Sequence, residues 1–413
     1  MHTPVILSEK KSERNLERAE AFLRDLPRHL KMGQLTVIFP DGGSQEFRGS
    51  MFGASATIRL NTVNLAKRLQ TRGVLGFLEG YVAAEWDSPD LAKLLYLLRL
   101  NEASFTAAIG VPSLLHRAKQ LLSLRAASPT IVEPNSDFYN KWLDSTLSTT
   151  AALFLNDGEA FEQAHRNKYQ RALSQLTLTK DSHILEIGGG WGGFAEYAAQ
   201  KIGCRITTVI PNATQRTFAT ARFKALKDPK KVIVRAEELH TLEALEALEA
   251  LKALKGRFDH IVSFEILPLL GAKHWQSHFK QLKSMLKPQG KIVLQTPLID
   301  DTFLEAHLKN NNFIRTYFAP KLAIPSLQAL EKAAAASFLS VQDSFFFGQD
   351  YARTAREWQD RFHAAWLRLS GYNYTERTRR LWMLLFASME ACFLEGRLTV
   401  AQLTFTHATP QWQ

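Results

Sequence analysis

Cysteine is scarce: the 413 residues include two, Cys204 and Cys392. So thin a supply excludes a disulfide-stapled scaffold and fits a reducing compartment. No CxxC pair and no Cys/His cluster has ligand spacing, so no metal site is expected. No apolar run is long enough to span a bilayer. The opening MHTPVILSEKKSERNLERAEAFL is too charged for a secretory apolar segment, which leads us to expect a cytoplasmic protein. Zinc-finger, RNP and other nucleic-acid signatures are missing, so no nucleic-acid partner is expected. Long blocks of one charge are missing too. The formal net charge of +11 is scattered along the chain. It serves either solubility or attraction to a polyanion such as the anionic face of a membrane.

What is present is apolar and regular. A hydrophobic share of 46% supports a large core and excludes bulk disorder. The length predicts two or three domains. Residues 1 to about 30 read as a basic amphipathic helix. GQLTVIFPDGGSQEF reads as two strands around a PDGG turn. GFLEGYVAAEWDSPDLAKLLYLLRL reads as helical, with an N-cap at Asp87 or Ser88. SLRAASPTIVEPNSD, rich in Ser, Pro and Asn, is the linker. We place it at 126–136, between a smaller α+β domain (1–125) and a second domain (137–413). In the second, HILEIG, RITTVIP, KVIVRA, FDHIVSF and KIVLQTP alternate with helical stretches. That order predicts an α/β, doubly wound, Rossmann-like sheet. The near-triplet repeat LEALEALEALKALK at 242–255 is built from strong helix formers and reads as an insertion on the sheet's flank without a chemical role.

The stretch HILEIGGGWGGFAEYAA is a strand, a glycine turn and a helix. Glu186, Gly188, Gly190 and Gly192 form E-x-G-x-G-x-G. Glycines at a strand-to-helix turn permit unusual dihedrals and let a ligand touch backbone. A dinucleotide, a nucleotide or S-adenosylmethionine would fit. The acidic residue at the strand end favours S-adenosylmethionine. So does Trp191, which is bulky where a pyrophosphate would approach the helix.

Taken together, these segments resemble the cyclopropane-fatty-acyl-phospholipid synthases, a family of S-adenosylmethionine-dependent lipid methyltransferases. The resemblance runs from about residue 33 to 407. LEIGGGWGGFA is similar to the family's glycine loop, EWDSPDLAKLL to its N-terminal domain, and DFYNKWLDSTL to the entry of its catalytic domain. FDHIVS, LKPQGKIVLQT, YFAPKLAIPSL and DYARTAREWQDRF match further segments. The implied fold is a class I S-adenosylmethionine-dependent methyltransferase. The implied cofactor residues are Glu186, Gly188, Gly190, Gly192, Thr149, Thr150, Gln215, Glu237 and Glu238, the last two near the adenine. Ile210 and Pro211 replace a more polar pair.

The resemblance implies a reaction in which the double bond of an acyl chain takes a methyl group, a carbocation forms, and a base removes a proton. It also implies bicarbonate as that base, held in a cage of cysteine backbone, glutamate, histidine, a backbone group and tyrosine. Here the cysteine position is Ala151, the glutamate position Pro268 with Leu269 after it, and the strand-end histidine Gln295. Tyr351 matches directly. Pro268 can neither accept a proton nor donate an N–H. Glu265, three residues earlier, is a carboxylate able to enter the vacated space from one helical turn away. FIRTYFAP, SFFFG and LWMLLFASMEACF supply aromatic and Met side chains for an apolar acyl channel, or for ordinary core. Arg377, Arg379 and Arg380 are either headgroup contacts or a solvated face. The implied partners are an anionic phospholipid membrane, unsaturated acyl chains and a second copy of the chain, with the protein peripheral to the inner face of the membrane. Three functions stay open: a lipid-modifying methyltransferase, a non-catalytic relative acting with a partner, and a methyltransferase with another acceptor.

Overall fold

The computed structural model describes residues 3–110, 135–236, 255–310, 312–369 and 374–408. Most of the linker, Glu237, Glu238 and nearly all of the 242–255 repeat lie outside the described residues. The chain divides into two units, and it crosses between them repeatedly. The first takes Met1–Ile131, Asn312–Phe318 and Ser370–Glu395; the second takes Val132–Asn311, Ala319–Leu369 and Gly396–Gln413.

In the first unit, β1 (Met32–Ile38), β2 (Ser44–Arg48), β3 (Met51–Leu60) and β4 (Trp86–Asp87) form a sheet in the order β2-β1-β3-β4. The β1–β2 hairpin closes over the PDGG turn as expected. Gly42 has φ +85°, and Asp41 Oδ1 accepts from Gly43 N at 2.8 Å. Such a φ is open to glycine without steric cost. The helix Leu91–Leu100 is capped by Asp90, whose Oδ1 accepts from Lys93 N at 3.0 Å, and not by Asp87 or Ser88. Ser88 Oγ is engaged elsewhere, donating to Thr57 O. Phe313, Leu381, Leu384 and Ala387 are buried in this unit's core with Leu94, Leu97 and Trp86. The aromatic segments FIRTYF and LWMLLF are thus core of the first unit, where Phe313 meets Tyr317 and Phe318 meets Trp382. Arg380 is committed as well, donating to Tyr81 O at 2.8 Å and Asp87 Oδ1 at 2.6 Å.

The second unit is built on β5 (His183–Ile187), β6 (Arg205–Val209), β7 (Val232–Arg235), β8 (Phe258–Phe264), β9 (Leu286–Ile299), β10 (Leu339–Phe346) and β11 (Leu398–His407). Their order is β10-β11-β9-β8-β5-β6-β7, parallel from β7 to β9 and antiparallel at β11 and β10. All five expected strands are present. Their near-continuous apolar runs suit a sheet covered on both faces. Pro297 is tolerated inside β9 because pairing with β8 stops at Gln295, so no N–H is withheld from that neighbour. Among the described residues, no helix is long and apolar enough to cross a membrane.

Candidate active site

The glycine loop leaves β5 and enters the helix Gly193–Lys201. Gly188, Gly190 and Gly192 have φ of +79°, +52° and +87°, which explains glycine at each. Their surroundings differ. A Cβ on Gly189 would lie 1.9 Å from Thr208 Oγ1 and 2.8 Å from Glu186 Oε2, so that residue is pressed onto the sheet. A Cβ on Gly190 would meet nothing within 4 Å. The loop therefore packs tightly below and shows bare backbone above, a cradle that suits a ligand lying across it. Glu186 is buried beneath, and Oε2 makes no hydrogen bond among the described residues. Burial pushes its carboxyl up to about 7, with neighbouring Thr208 working the other way. Trp191 is buried against Tyr139 and Phe218. Gln215 sits in the first turn of the helix Ala213–Lys224, which Asn212 caps. Ile210 and Pro211 lend their carbonyls to Arg216. Thr149 is exposed. Thr150 is turned to a buried lysine: its Oγ1 accepts from Lys168 Nζ at 2.6 Å.

A carboxylate stands at the C-terminal end of β8, where ligands of open α/β sheets gather. Glu265 has φ +59°, a left-handed conformation that costs a non-glycine residue about 1 kcal/mol. Its N–H donates to Gln295 O at 2.7 Å, which holds the turn. The side chain reaches a ring of donors: Oε1 accepts from Ala151 N at 2.9 Å and Gln295 Nε2 at 2.8 Å, and Oε2 accepts from Tyr351 Oη at 2.6 Å. The expected entry by a helical turn is corrected. Residue 265 precedes the short helix Leu267–Leu270, and its positive φ at the strand end provides the reach. Pro268 is buried and takes no part in the ring. Burial raises the Glu265 carboxyl above its ordinary value, while Tyr351, Gln295, the Ala151 N–H and the Lys168 charge oppose the rise. Tyr351 is held well above its usual value by burial and by the adjacent carboxylate, so it acts as a donor.

The ring rests on pinned backbone. Ala152 N donates to Thr354 Oγ1 at 3.0 Å, and Phe154 N to Asp350 Oδ2 at 3.2 Å, both on the helix Gly348–Leu369 that carries Tyr351. Beneath Ala151 lies Lys168, fully buried, with Nζ donating to Ser148 Oγ and Thr150 Oγ1, each at 2.6 Å, and to Thr150 O at 3.3 Å. Burial brings its ammonium down to about 7, and the Glu265 and Asp144 carboxylates pull it back up.

Residues 133–403 match the family model described as mycolic acid cyclopropane synthetase. The chain belongs to that family. It is therefore an S-adenosylmethionine-dependent lipid methyltransferase with the class I fold. It is 26% identical over 373 residues to a tuberculostearic acid methyltransferase of Mycobacterium tuberculosis, covering 84% of this chain and 82% of that one. It is 24% identical over 360 residues to a cyclopropane-fatty-acyl-phospholipid synthase of Escherichia coli, covering 86% and 88%. Among solved structures, the cyclopropane synthase MmaA2 of Mycobacterium tuberculosis aligns with a TM-score of 0.58 at 20% identity, over 65% of this chain and 93% of that one. That likeness bears on the fold.

Four residues named from the sequence converge: Ala151, Glu265, Gln295 and Tyr351. Lys168, Arg171 and Gln402 were missed. Lys168 carried a signal, standing in the stripe Phe161, Ala164, His165, Tyr169, Ala172 that the helix Phe161–Ser174 buries. A lysine at such a position needs acceptors. Arg171 and Gln402 carried none, since their bonds join residues far apart in sequence.

Proposed function

We propose that the chain modifies the double bond of unsaturated phospholipid acyl chains, with Glu265 as the base. The observation that carries this reading is the ring of Ala151 N–H, Gln295 and Tyr351 closed on the Glu265 carboxylate. Those positions are the ones that resemble a bicarbonate cage in the family, and here a protein carboxylate takes their hydrogen bonds. No added bicarbonate is needed.

Bound S-adenosylmethionine supplies an electrophilic methyl group on a cationic sulfur. The glycine turn with its bare backbone at Gly190, Glu186 beneath it, Thr149 and Gln215 would hold it, with Glu237 and Glu238 assigned from sequence. Once one alkene carbon carries the new methyl, its neighbour is left cationic. An ionised carboxylate in a poorly hydrated site stabilises that charge strongly. Glu265 then removes a proton from the new methyl group. The C–H electron pair forms the third bond of a cyclopropane, and the proton stays on Glu265. Tyr351, Gln295 and the Ala151 N–H hold the carboxylate ionised beforehand, and burial raises its basicity toward the working pH.

The test is mass spectrometry of acyl chains after incubation with methyl-labelled S-adenosylmethionine and vesicles of unsaturated, partly anionic phospholipid. Label in the chains is the expected result, and fragmentation separates a ring from a branch. Absence of label, with S-adenosylmethionine binding intact by calorimetry, overturns this reading in favour of another acceptor or a non-catalytic role.

A further inference from the structure

Glu265 stands at one end of a chain of side chains that runs across the sheet to the protein surface. Gln295 Nε2 donates to Glu265 Oε1 and to Ala151 O at 3.1 Å. Gln295 Oε1 accepts from Gln402 Nε2 at 3.1 Å. Gln402 Nε2 also donates to Lys168 O at 2.9 Å, and Gln402 Oε1 accepts from Arg171 Nη1 at 3.4 Å. Arg171 is fixed in turn by Asp343 Oδ2 at 2.7 Å and lies over the Phe345 ring. Gln295 and Gln402 are direct partners across the β9–β11 ladder, and both are buried.

The amide orientations along this chain are dictated at its ends. A guanidinium can only donate and a backbone carbonyl can only accept. Turning Gln402 over would set its NH₂ against Arg171 and its oxygen against Lys168 O, two repulsive contacts in place of two bonds. Gln402 therefore offers its NH₂ to Gln295. Gln295 must answer with its oxygen, which leaves its own NH₂ for Glu265. Oε1 of Glu265 thus receives two N–H donors, from Gln295 and Ala151, and has no place for a proton. A proton on Glu265 must sit on Oε2, at the Tyr351 hydroxyl.

We propose that Gln402, oriented by Arg171, is a positioning residue that makes Glu265 a one-sided base: it keeps Oε1 an obligate acceptor and confines the exchanged proton to Oε2 beside Tyr351. This rests on the reading of Glu265 as the base. The titratable groups facing Glu265 are Tyr351 from the helix Gly348–Leu369 and Lys168 from the helix Phe161–Ser174, with Asp144 behind Lys168. Gln402 carries no charge, so its replacement leaves the local net charge unchanged.

The experiment is an infrared pH titration of the full chain, following the protonated carboxyl band that Glu265→Gln removes. In Gln402→Met, Gln295 is free to turn and the ionised form loses a committed donor. The midpoint is expected to move up by about one pH unit. Arg171→Lys keeps the charge and loses the fork, and it is expected to move the midpoint in the same direction by less. It is also the variant to read if Gln402→Met fails to fold. Midpoints equal to wild type in folded variants overturn the proposal. The titration needs no turnover, so it separates this inference from the functional one. A wild type that titrates as described but labels no acyl chain refutes the reaction alone. If acyl chains are labelled, the acidic limb of the pH–rate profile is expected to move with the infrared midpoint.

Discussion

Tyr351 Oη and Glu265 Oε2 lie 2.6 Å apart, within the range of a hydroxyl donating to an ionised carboxylate. The tyrosine stabilises the charged carboxylate. Its loss in Tyr351→Phe is expected to slow acyl labelling by roughly 10- to 100-fold, the worth of a hydrogen bond to a charged group. The acidic limb of the pH–rate profile is expected to move upward, because the ionised carboxylate has lost a donor. An unchanged limb would place the tyrosine outside the base.

Glu265→Gln keeps the shape of the side chain and removes its basicity. Turnover is expected to fall by about 10²- to 10⁴-fold, while S-adenosylmethionine binding by calorimetry stays as in wild type. In the wild type, activity is expected above the raised carboxyl value and is expected to be lost as pH falls through it. Equal turnover in the glutamine variant would remove Glu265 from the chemistry.

Adjacent glycines are expected to answer alanine differently. Gly189→Ala drives a methyl into Thr208 Oγ1 and Glu186, so thermal stability should drop. Gly190→Ala meets open space and carries only the strain of φ +52°, about 1 kcal/mol. It should fold yet bind S-adenosylmethionine more weakly, because the methyl fills the cradle. Calorimetry and thermal melts on the two variants check both halves.

His165 is fully buried, and neither ring nitrogen has a hydrogen-bond partner among the described residues. Asp144 Oδ1 stands 3.7 Å from Nε2. Burial, with Lys168 and Arg361 nearby, holds the ring neutral to well below its usual range. The unfolded chain takes up a proton near pH 6.5, and the folded one does not. The stabilisation is therefore complete above about 6.5 and is lost as pH falls below it. Urea midpoints should decline from neutral pH toward pH 5, and His165→Leu should flatten that decline.

The strands β5 to β9 were legible because apolar, β-branched runs ended at glycine or polar punctuation. β10 and β11 were not, and the residues explain why. β11 is buried along most of its length but carries Gln402 and Thr404, so no apolar run announces it. β10 alternates between buried or half-buried and exposed residues, the weaker signature of an outer strand. Ala151, Gln295 and Tyr351 followed from a family resemblance, and Glu265 from its place three residues before Pro268. The arrangement did not: Glu265 enters the donor ring through one backbone angle, which local sequence does not report. The repeated crossing between units was equally hidden, because helix Glu376–Glu395 has the apolar pattern of a helix that could pack on either one.

That crossing has a consequence for synthesis. Arg99 pairs with Glu395 at 3.1 Å, and Leu94 and Leu97 share a core with Leu384 and Ala391. The first unit's sheet lies within Met32–Asp87, but its core is completed by Phe313 and by Leu381, Leu384, Ala387 and Ala391. On the ribosome its sheet emerges early and waits, its core open, until more than two hundred further residues have been added. A fragment ending at the linker would carry the same open core. Late cooperative closure of this core, after the second unit's strands have been made, is the folding order expected from this topology.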